Sequence, residues 1–187
     1  MNIPVPWASL DPAAKRERLL TAASQVFATE GLDASMPAIA AAAGAGVASV
    51  YRQFPSKYEL LAALVVRRLD QISEEAAIAT ASEGGRWEAL VAMLWQIVEQ
   101  QSYDDFLGEA RVAVAGHPKV KRATTRTTKA LEHLLAAARA EGRLRADATT
   151  LDLRLLFAAT RAAKQVEPAA WRRMVELFID SLESSAS

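Results

Sequence analysis

Cysteine is missing from the sequence, and its absence excludes several kinds of site at once. Without thiols there is no disulfide framework, no thiolate-bound metal and no cysteine nucleophile. Long hydrophobic runs are missing as well: the densest, residues 60–66, is far shorter than the roughly 20 residues that cross a bilayer. Residues 1–10 lack the basic and apolar regions of a secretory signal. We therefore expect a cytoplasmic protein that makes no contact with membranes.

Neither sign of charge is in excess, because 22 basic and 22 acidic residues give a formal net charge of zero. Proteins that bind nucleic acid usually carry a basic surplus, at least locally. Residues 1–57 hold only one more basic than acidic side chain. Charge alone therefore does not indicate a DNA partner, and a function must be argued from the arrangement of the residues.

Aromatic residues are scarce, at 6%, whereas the 51% of hydrophobic residues are mostly alanine, leucine and valine, and alanine and leucine favour helix. Apolar residues recur at helical spacing, and the sequence shows no β alternation. An all-α fold is predicted. The predicted helices cover residues 13–30, 36–43, 47–54, 57–81, 86–101, 104–115, 119–141 and 150–166, followed by a last helix that Pro168 opens.

Proline and glycine suggest how the chain is divided. Three of the seven prolines fall within residues 1–12, which indicates an irregular N-terminal arm. A small helical domain is predicted over residues 13–56, where Pro55 ends the third helix and Ser56 caps the fourth. A larger helical domain is predicted over residues 57–187.

The most informative stretch is residues 39–54, IAAAAGAGVASVYRQF. A helix-turn-helix requires a support helix, a tight turn of small residues and a second helix that enters the major groove. Residues 43–46 provide the small residues, and Val50 and Phe54 form a face that can be buried. The opposite face carries side chains suited to phosphates and base edges: Ala48, Ser49, Arg52 and Gln53. The glycine turn by itself fits a purely structural helix corner equally well.

Residues 15–61 resemble the DNA-binding domain of the TetR family of transcriptional regulators. The matching elements agree in order, spacing and residue type: VFATEG at 26–31, Ile39-Ala40, Ala43-Gly44, Val50-Tyr51, and FPSKYELL at 54–61. The resemblance implies a helix-turn-helix domain over residues 13–56 and an effector-binding and dimerisation domain over residues 57–187. It also implies a homodimeric regulator, most commonly a repressor, that binds a pseudo-palindromic operator and is released by a small-molecule effector.

The same resemblance assigns roles to individual residues. Tyr51 and Ser49 are expected to contact the DNA backbone, and Lys57 a phosphate at the positive end of the fourth helix. The other expected DNA contacts are Val47, Ala48 and Gln53 near base edges, Arg52 on a base or a phosphate, and Ser35 with Met36 near the backbone. The periodicity of the second helix would instead place Val47 in the core.

Two departures from the family pattern affect these roles. Gly46 stands where family members usually have a capping serine or threonine, so one hydroxyl that could contact a phosphate is lost. The segment between Gly31 and Ile39 is also about one residue shorter than the commonest pattern, with Met36-Pro37 in place of a polar pair.

For the larger domain the sequence supports weaker assignments. The candidate effector-binding residues are Trp95, Tyr103, Phe106, His117 and Phe157, all of which also suit an ordinary core. His117 and His133 have no cysteine or carboxylate at metal-ligand spacing, so no metal site or cofactor is expected. No catalytic motif is present, and we expect no enzyme.

The last two helices carry more apolar residues than one buried face requires, including Leu151, Leu155 and the run from Trp171 to Leu182. In the family this pair forms a two-fold four-helix bundle, which predicts a homodimer. Burial inside one monomer is the alternative structural explanation. A different alternative function is a helical protein-interaction module that uses this apolar pair and does not bind DNA.

Overall fold

The computed structural model describes residues 6–100, 105–167 and 170–184, and helices dominate all three stretches. They contain nine α-helices and no β-strand, as the sequence predicts. The helices are α1 (Pro12–Glu30), α2 (Met36–Ala43), α3 (Val47–Gln53), α4 (Lys57–Thr80), α5 (Arg86–Gln100), α6 (Asp105–Ala113), α7 (Pro118–Ala140), α8 (Thr150–Val166) and α9 (Trp171–Leu182). None of these helices is both long enough and apolar enough to cross a membrane.

Side-chain caps fix where several helices begin. The Asp11 carboxylate accepts the N–H of Ala14 at 2.8 Å and starts α1. Ser56 starts α4 in the same way, because its hydroxyl accepts the N–H of Glu59 at 3.2 Å. Such caps satisfy N–H groups that have no partner within the helix. The final helix begins at Trp171, and Pro168, which was expected to open it, lies outside the described residues.

The chain forms two compact units whose limits differ from the predicted domain boundary at residue 56. The N-terminal unit comprises residues 1–68 and 103–121, and the C-terminal unit comprises residues 69–102 and 122–187. The first half of α4 stays with the N-terminal unit, where Arg67 donates to the hydroxyl of Ser24 at 2.9 Å. The segment carrying α6 also packs there, with the ring of Phe106 centred 5.5 Å from that of Phe27.

A small apolar core supports the helices of the N-terminal unit. Its largest fully buried side chains are Leu19, Phe27, Ile39, Phe54, Leu60 and Leu64. The guanidinium of Arg16 lies 4.5 Å from the centroid of the Phe54 ring and covers it from the α1 side. Such a contact combines cation–π attraction with packing of the arginine stem.

The C-terminal unit has its own core, built from α5, α7, α8, α9 and the second half of α4. Its most deeply buried side chains include Leu90, Leu94, Leu134, Leu153 and Val175. Glu141, just after α7, caps α5 by accepting the N–H groups of Arg86 and Trp87 at 2.8 and 3.1 Å. Thr149 and Asp152 form a reciprocal capping box at the start of α8.

We predict that Glu141→Ala lowers the thermal unfolding midpoint at pH 7. The N–H groups of Arg86 and then Trp87 lower the pKa of the Glu141 carboxyl. A lowered pKa contributes stability that is present above the ordinary carboxyl range and is lost as the pH falls through the folded-state pKa. The difference from the native protein should therefore shrink in acid. Thermal unfolding at several pH values measures the difference. The control is Glu132→Ala, because Glu132 is exposed. Equal unfolding midpoints for the two variants at every pH would contradict the role of the Glu141 cap.

Candidate DNA-binding surface

The turn between α2 and α3 depends on Gly44. This residue adopts a left-handed conformation, with φ 65° and ψ 32°, that side chains with a Cβ rarely adopt. The N–H of Gly44 donates to Ala41 and that of Ala45 to Ala40, at 3.0 and 2.9 Å, which satisfies the last carbonyls of α2. The chain can therefore leave α2 and enter α3 within three residues, as the sequence indicates.

Helix α3 has one buried face and one exposed face. Val50 is fully buried and Phe54, just past the helix, is 1% exposed. Gly46 is the N-cap of α3 and provides no side-chain hydrogen bond, as expected from the departure at this position. Tyr51 is 46% exposed, and Ala48 and Arg52 are exposed beside it.

Arg52 occupies the centre of the exposed face of α3, opposite Val50 on the helix. Its Nη2 donates to the hydroxyl of Ser49 at 3.0 Å, one turn earlier. This bond orients the guanidinium along the helix surface. Because a guanidinium carries five N–H donors, one internal bond leaves donors for a phosphate or for a guanine edge.

The remaining predicted DNA contacts do not all reach this surface. Val47 is 41% exposed, which agrees with the DNA-facing prediction and not with the core alternative. Met36 is only 5% exposed, so its side chain is not available to DNA, and a contact of this residue through its main chain stays a prediction. The family resemblance selected this residue, whereas its side chain packs into the core. The hydroxyl of Ser35 caps α2 by accepting the N–H of Ala38 at 3.2 Å.

Gln53 and Lys57 lie at the edge of the surface. Gln53 is half-buried and lines a small cavity of about 100 Å³. Other residues around that cavity are Arg16, Phe54, Glu59, His117 and Lys119. Lys57 is the first residue of α4, next to the positive end of that helix, and is also half-buried.

The predicted effector-binding residues are distributed over both compact units. Phe106 and His117 are buried in the N-terminal unit, whereas Trp95 and Phe157 pack against the core of the C-terminal unit. Tyr103 lies outside the described residues. The α6 segment, which carries Phe106 and precedes His117, folds onto α1 and α4, and an effector-binding role for these residues stays a prediction. Trp95 contacts Trp171, with ring centroids 6.3 Å apart.

Sequence reasoning missed Tyr58 and Glu59, which lie in the first turn of α4. Glu59 follows Ser56 by three residues, which is the spacing of a capping box. Its carboxylate instead contacts Nε2 of His117 at 3.2 Å, and the Tyr58 ring lies 5.5 Å from the imidazole. Local spacing indicates the helix start but cannot indicate a partner 58 residues away.

The arrangement of α1, α2 and α3, with an exposed polar face on α3, is that of a helix-turn-helix DNA-binding protein. Two family models match the chain. That of bacterial regulatory proteins of the tetR family matches residues 19–64. That of the C-terminal domain of SbtR-like transcriptional regulators matches residues 87–184. The chain therefore belongs to the TetR family.

Solved structures give the same assignment. The TetR transcription regulatory protein from Mycobacterium vanbaalenii is 31% identical, with a TM-score of 0.68, over 91% of this chain and 96% of that chain. The regulator SCO0520 from Streptomyces coelicolor is 27% identical, with a TM-score of 0.70, over 91% and 99%. SmeT in complex with triclosan is 25% identical, with a TM-score of 0.62, over 90% and 89%. A search of the curated proteins gives no match.

Family membership settles the general function. The chain is a transcriptional regulator with a DNA-binding helix-turn-helix and a ligand-binding domain, and members of this family are not enzymes. TetR regulators act as dimers on DNA. The alternatives of a structural helix corner and of an interaction module without DNA binding are thereby set aside.

We predict that Gly44→Ala lowers the free energy of unfolding by about 1–2 kcal/mol, the cost of a left-handed conformation for a residue with a Cβ. No atom lies within 4 Å of an added Cβ at Gly44 or at Gly46, so crowding is not the cause. Gly46 has an ordinary φ of −73°, so Gly46→Ser is the matched control and should change stability by a few tenths of a kcal/mol at most. Urea denaturation of both variants measures the difference, and equal losses would argue against the role of the Gly44 backbone.

Proposed function

We propose that this protein is a repressor that binds a pseudo-palindromic operator as a homodimer and leaves it when a small-molecule effector binds. The observation that carries the proposal is the exposed face of α3, where Ala48, Tyr51 and Arg52 lie opposite the buried Val50. Two such helices, related by a two-fold axis, read two half-sites in successive major grooves.

The chemistry of this face suits direct contact with the major groove. Gly46 and Ala48 are small, which lets the helix backbone approach the base pairs closely. Arg52 offers a bidentate donor for guanine, and Val47 offers a methyl surface for thymine. The hydroxyls of Tyr51 and Ser49 and the ammonium of Lys57 are suited to phosphates on either side. We assign operator specificity mainly to Arg52 and Val47.

Exposed apolar residues on α8 support the proposed dimer. Leu151 and Leu155 are each 55% exposed and Val166 is 84% exposed. With the exposed Ala158 and Ala162 they form one stripe along the helix, on the side opposite Leu153 and Leu156. Leu177 of α9 is a further exposed apolar side chain, at 52%. Apolar surface of this extent is typical of an interface, and pairing with a second copy would bury it.

A small-molecule effector is supported by the relative SmeT. SmeT forms a complex with triclosan, and it is the repressor of the Stenotrophomonas maltophilia multidrug efflux pump SmeDEF. We place the effector of this chain in the C-terminal unit, where Trp95 and Phe157 remain the sequence-predicted candidates. Release requires that the effector bind the DNA-free conformation more tightly than the DNA-bound one.

We predict that Arg52→Ala weakens binding of the dimer to the operator by roughly 30-fold or more, because a bidentate base contact of about 1–3 kcal/mol is lost in each of the two half-sites. The operator is first selected from the DNA upstream of the protein's own gene and from a random-sequence pool. Fluorescence anisotropy at physiological salt then gives the dissociation constants of the variant and of the native protein. Lys129→Ala, an exposed cation of the C-terminal unit, is the control and should bind like the native protein. If no sequence binds tighter than a scrambled duplex, the proposal fails.

We predict that Leu155→Glu raises the dissociation constant of the dimer by roughly a hundredfold, because burying an unpaired carboxylate at an interface costs several kcal/mol. Sedimentation equilibrium measures the constant directly. Val112→Glu is the matched control, since Val112 is an equally simple exposed aliphatic residue, at 79%, in the N-terminal unit. A dimer that tolerates Leu155→Glu as well as Val112→Glu would place the interface elsewhere.

A further inference from the structure

His117 is an unusual residue for its position between two helices, because it is only 6% exposed and every polar group on it is used. Its N–H donates to the carbonyl of Val114, and its carbonyl accepts from Lys121, at 2.9 and 3.0 Å. Its imidazole Nδ1 accepts the N–H of Lys119 at 3.2 Å, and Nε2 lies 3.2 Å from the Glu59 carboxylate. The residue therefore joins the end of α6, the start of α7 and the first turn of α4.

The two ring contacts fix the tautomer of His117. A backbone N–H can only donate, so Nδ1 must present a lone pair to Lys119. The proton of the neutral ring is then on Nε2, which donates it to Glu59. One nitrogen caps α7, whose first-turn N–H groups have no partner within the helix. The other nitrogen donates to Glu59 in the first turn of α4. The two nitrogens therefore stabilise different helices.

The part of α4 that His117 contacts is the part adjacent to DNA in the proposed function. Glu59 accepts the ring proton and Tyr58 lies against the imidazole, with ring centroids 5.5 Å apart. Lys57, the proposed phosphate contact, immediately precedes them. Gln53, at the end of α3, lines the cavity of about 100 Å³ that Glu59 and His117 also line. A contact at Glu59 and Tyr58 therefore restrains the start of α4, where Lys57 lies.

We propose that His117 is a positioning residue for operator binding: through Nε2 and Glu59 it holds the first turn of α4 in the orientation that directs Lys57 to a DNA phosphate. This role rests on the proposed function, because it gives Lys57 its target. It replaces the effector-binding role that the sequence suggested for His117. The other ring nitrogen serves the stability of α7 and not the DNA contact.

Two substitutions separate these tasks. In His117→Asn the amide oxygen can take the place of Nδ1 and still cap α7, but the side chain is too short to reach Glu59. In His117→Gln the amide N–H reaches the place of Nε2 and can still donate to Glu59, while the cap is lost. We expect His117→Asn to weaken operator binding about three- to tenfold, because Lys57 is no longer directed to its phosphate, and to lower thermal stability only by the small contribution of one partly exposed hydrogen bond. We expect His117→Gln to lower thermal stability and to leave operator binding close to that of the native protein.

A double-mutant cycle tests whether His117 acts through Lys57. If it does, His117→Asn should have much less effect on operator affinity when Lys57 is already alanine, because the contact that it positions is gone. A merely structural role for His117 predicts losses that add. Additive losses, or losses of affinity that follow thermal stability in both His117 variants, would overturn the proposal.

A measurement without DNA keeps this inference separate from the proposed function. Hydrogen exchange of the full-length protein should be faster over residues 56–64 in His117→Asn than in the native protein, and close to native in His117→Gln. Equal exchange in all three proteins would refute the positioning role even if the operator is found. Failure of the native protein to bind any selected duplex would refute the proposed function, and with it the assignment of Lys57, whatever the exchange rates show.

Discussion

Helix α3 has seven residues and is too short to be stable by itself in water, so its existence and its orientation are imposed by burial of Val50 and Phe54. Each of these side chains contributes on the order of 1.5–3 kcal/mol when it is fully removed from water. The left-handed turn at Gly44 brings α3 to the core, and Arg16 covers Phe54 from outside. The exposed face can carry small and polar residues because the opposite face alone provides the stability.

The division into two units does not follow the boundaries of the helices. Both α4 and α7 contribute residues to each unit, so neither helix belongs wholly to one of them. The segment around α6 is distant in sequence from the helix-turn-helix but is part of the same compact unit. Residues that lie far along the chain from the helix-turn-helix therefore contribute to the unit that contains it.

Local chemistry made much of this structure predictable. The cap at Ser56 and the turn at Gly44 each follow from the preference of one residue for one backbone geometry, and the structure has them where the sequence places them. The dual character of Val47 was also visible, since periodicity and family resemblance gave opposite answers for it. Its exposure of 41% favours the family assignment.

What the sequence could not provide are contacts between distant residues. Phe106 on Phe27 and His117 on Glu59 depend on how the α6 segment folds back, and no local pattern encodes that. Both residues were therefore assigned to a ligand pocket on the basis of residue type alone. The burial of the Met36 side chain is likewise a result of tertiary packing, which the family resemblance that selected this residue does not show.

The distribution of tryptophan has a practical consequence. Of the four tryptophans, Trp87, Trp95 and Trp171 lie in the C-terminal unit, and the first and last of them are at most 9% exposed. Trp171 also lies within 4.4 Å of the Lys164 ammonium and 4.7 Å of the Arg172 guanidinium, so its excited state is sensitive to small movements of two charges. Intrinsic emission therefore reports mainly on the C-terminal unit, so a compound that binds there can be detected without a label.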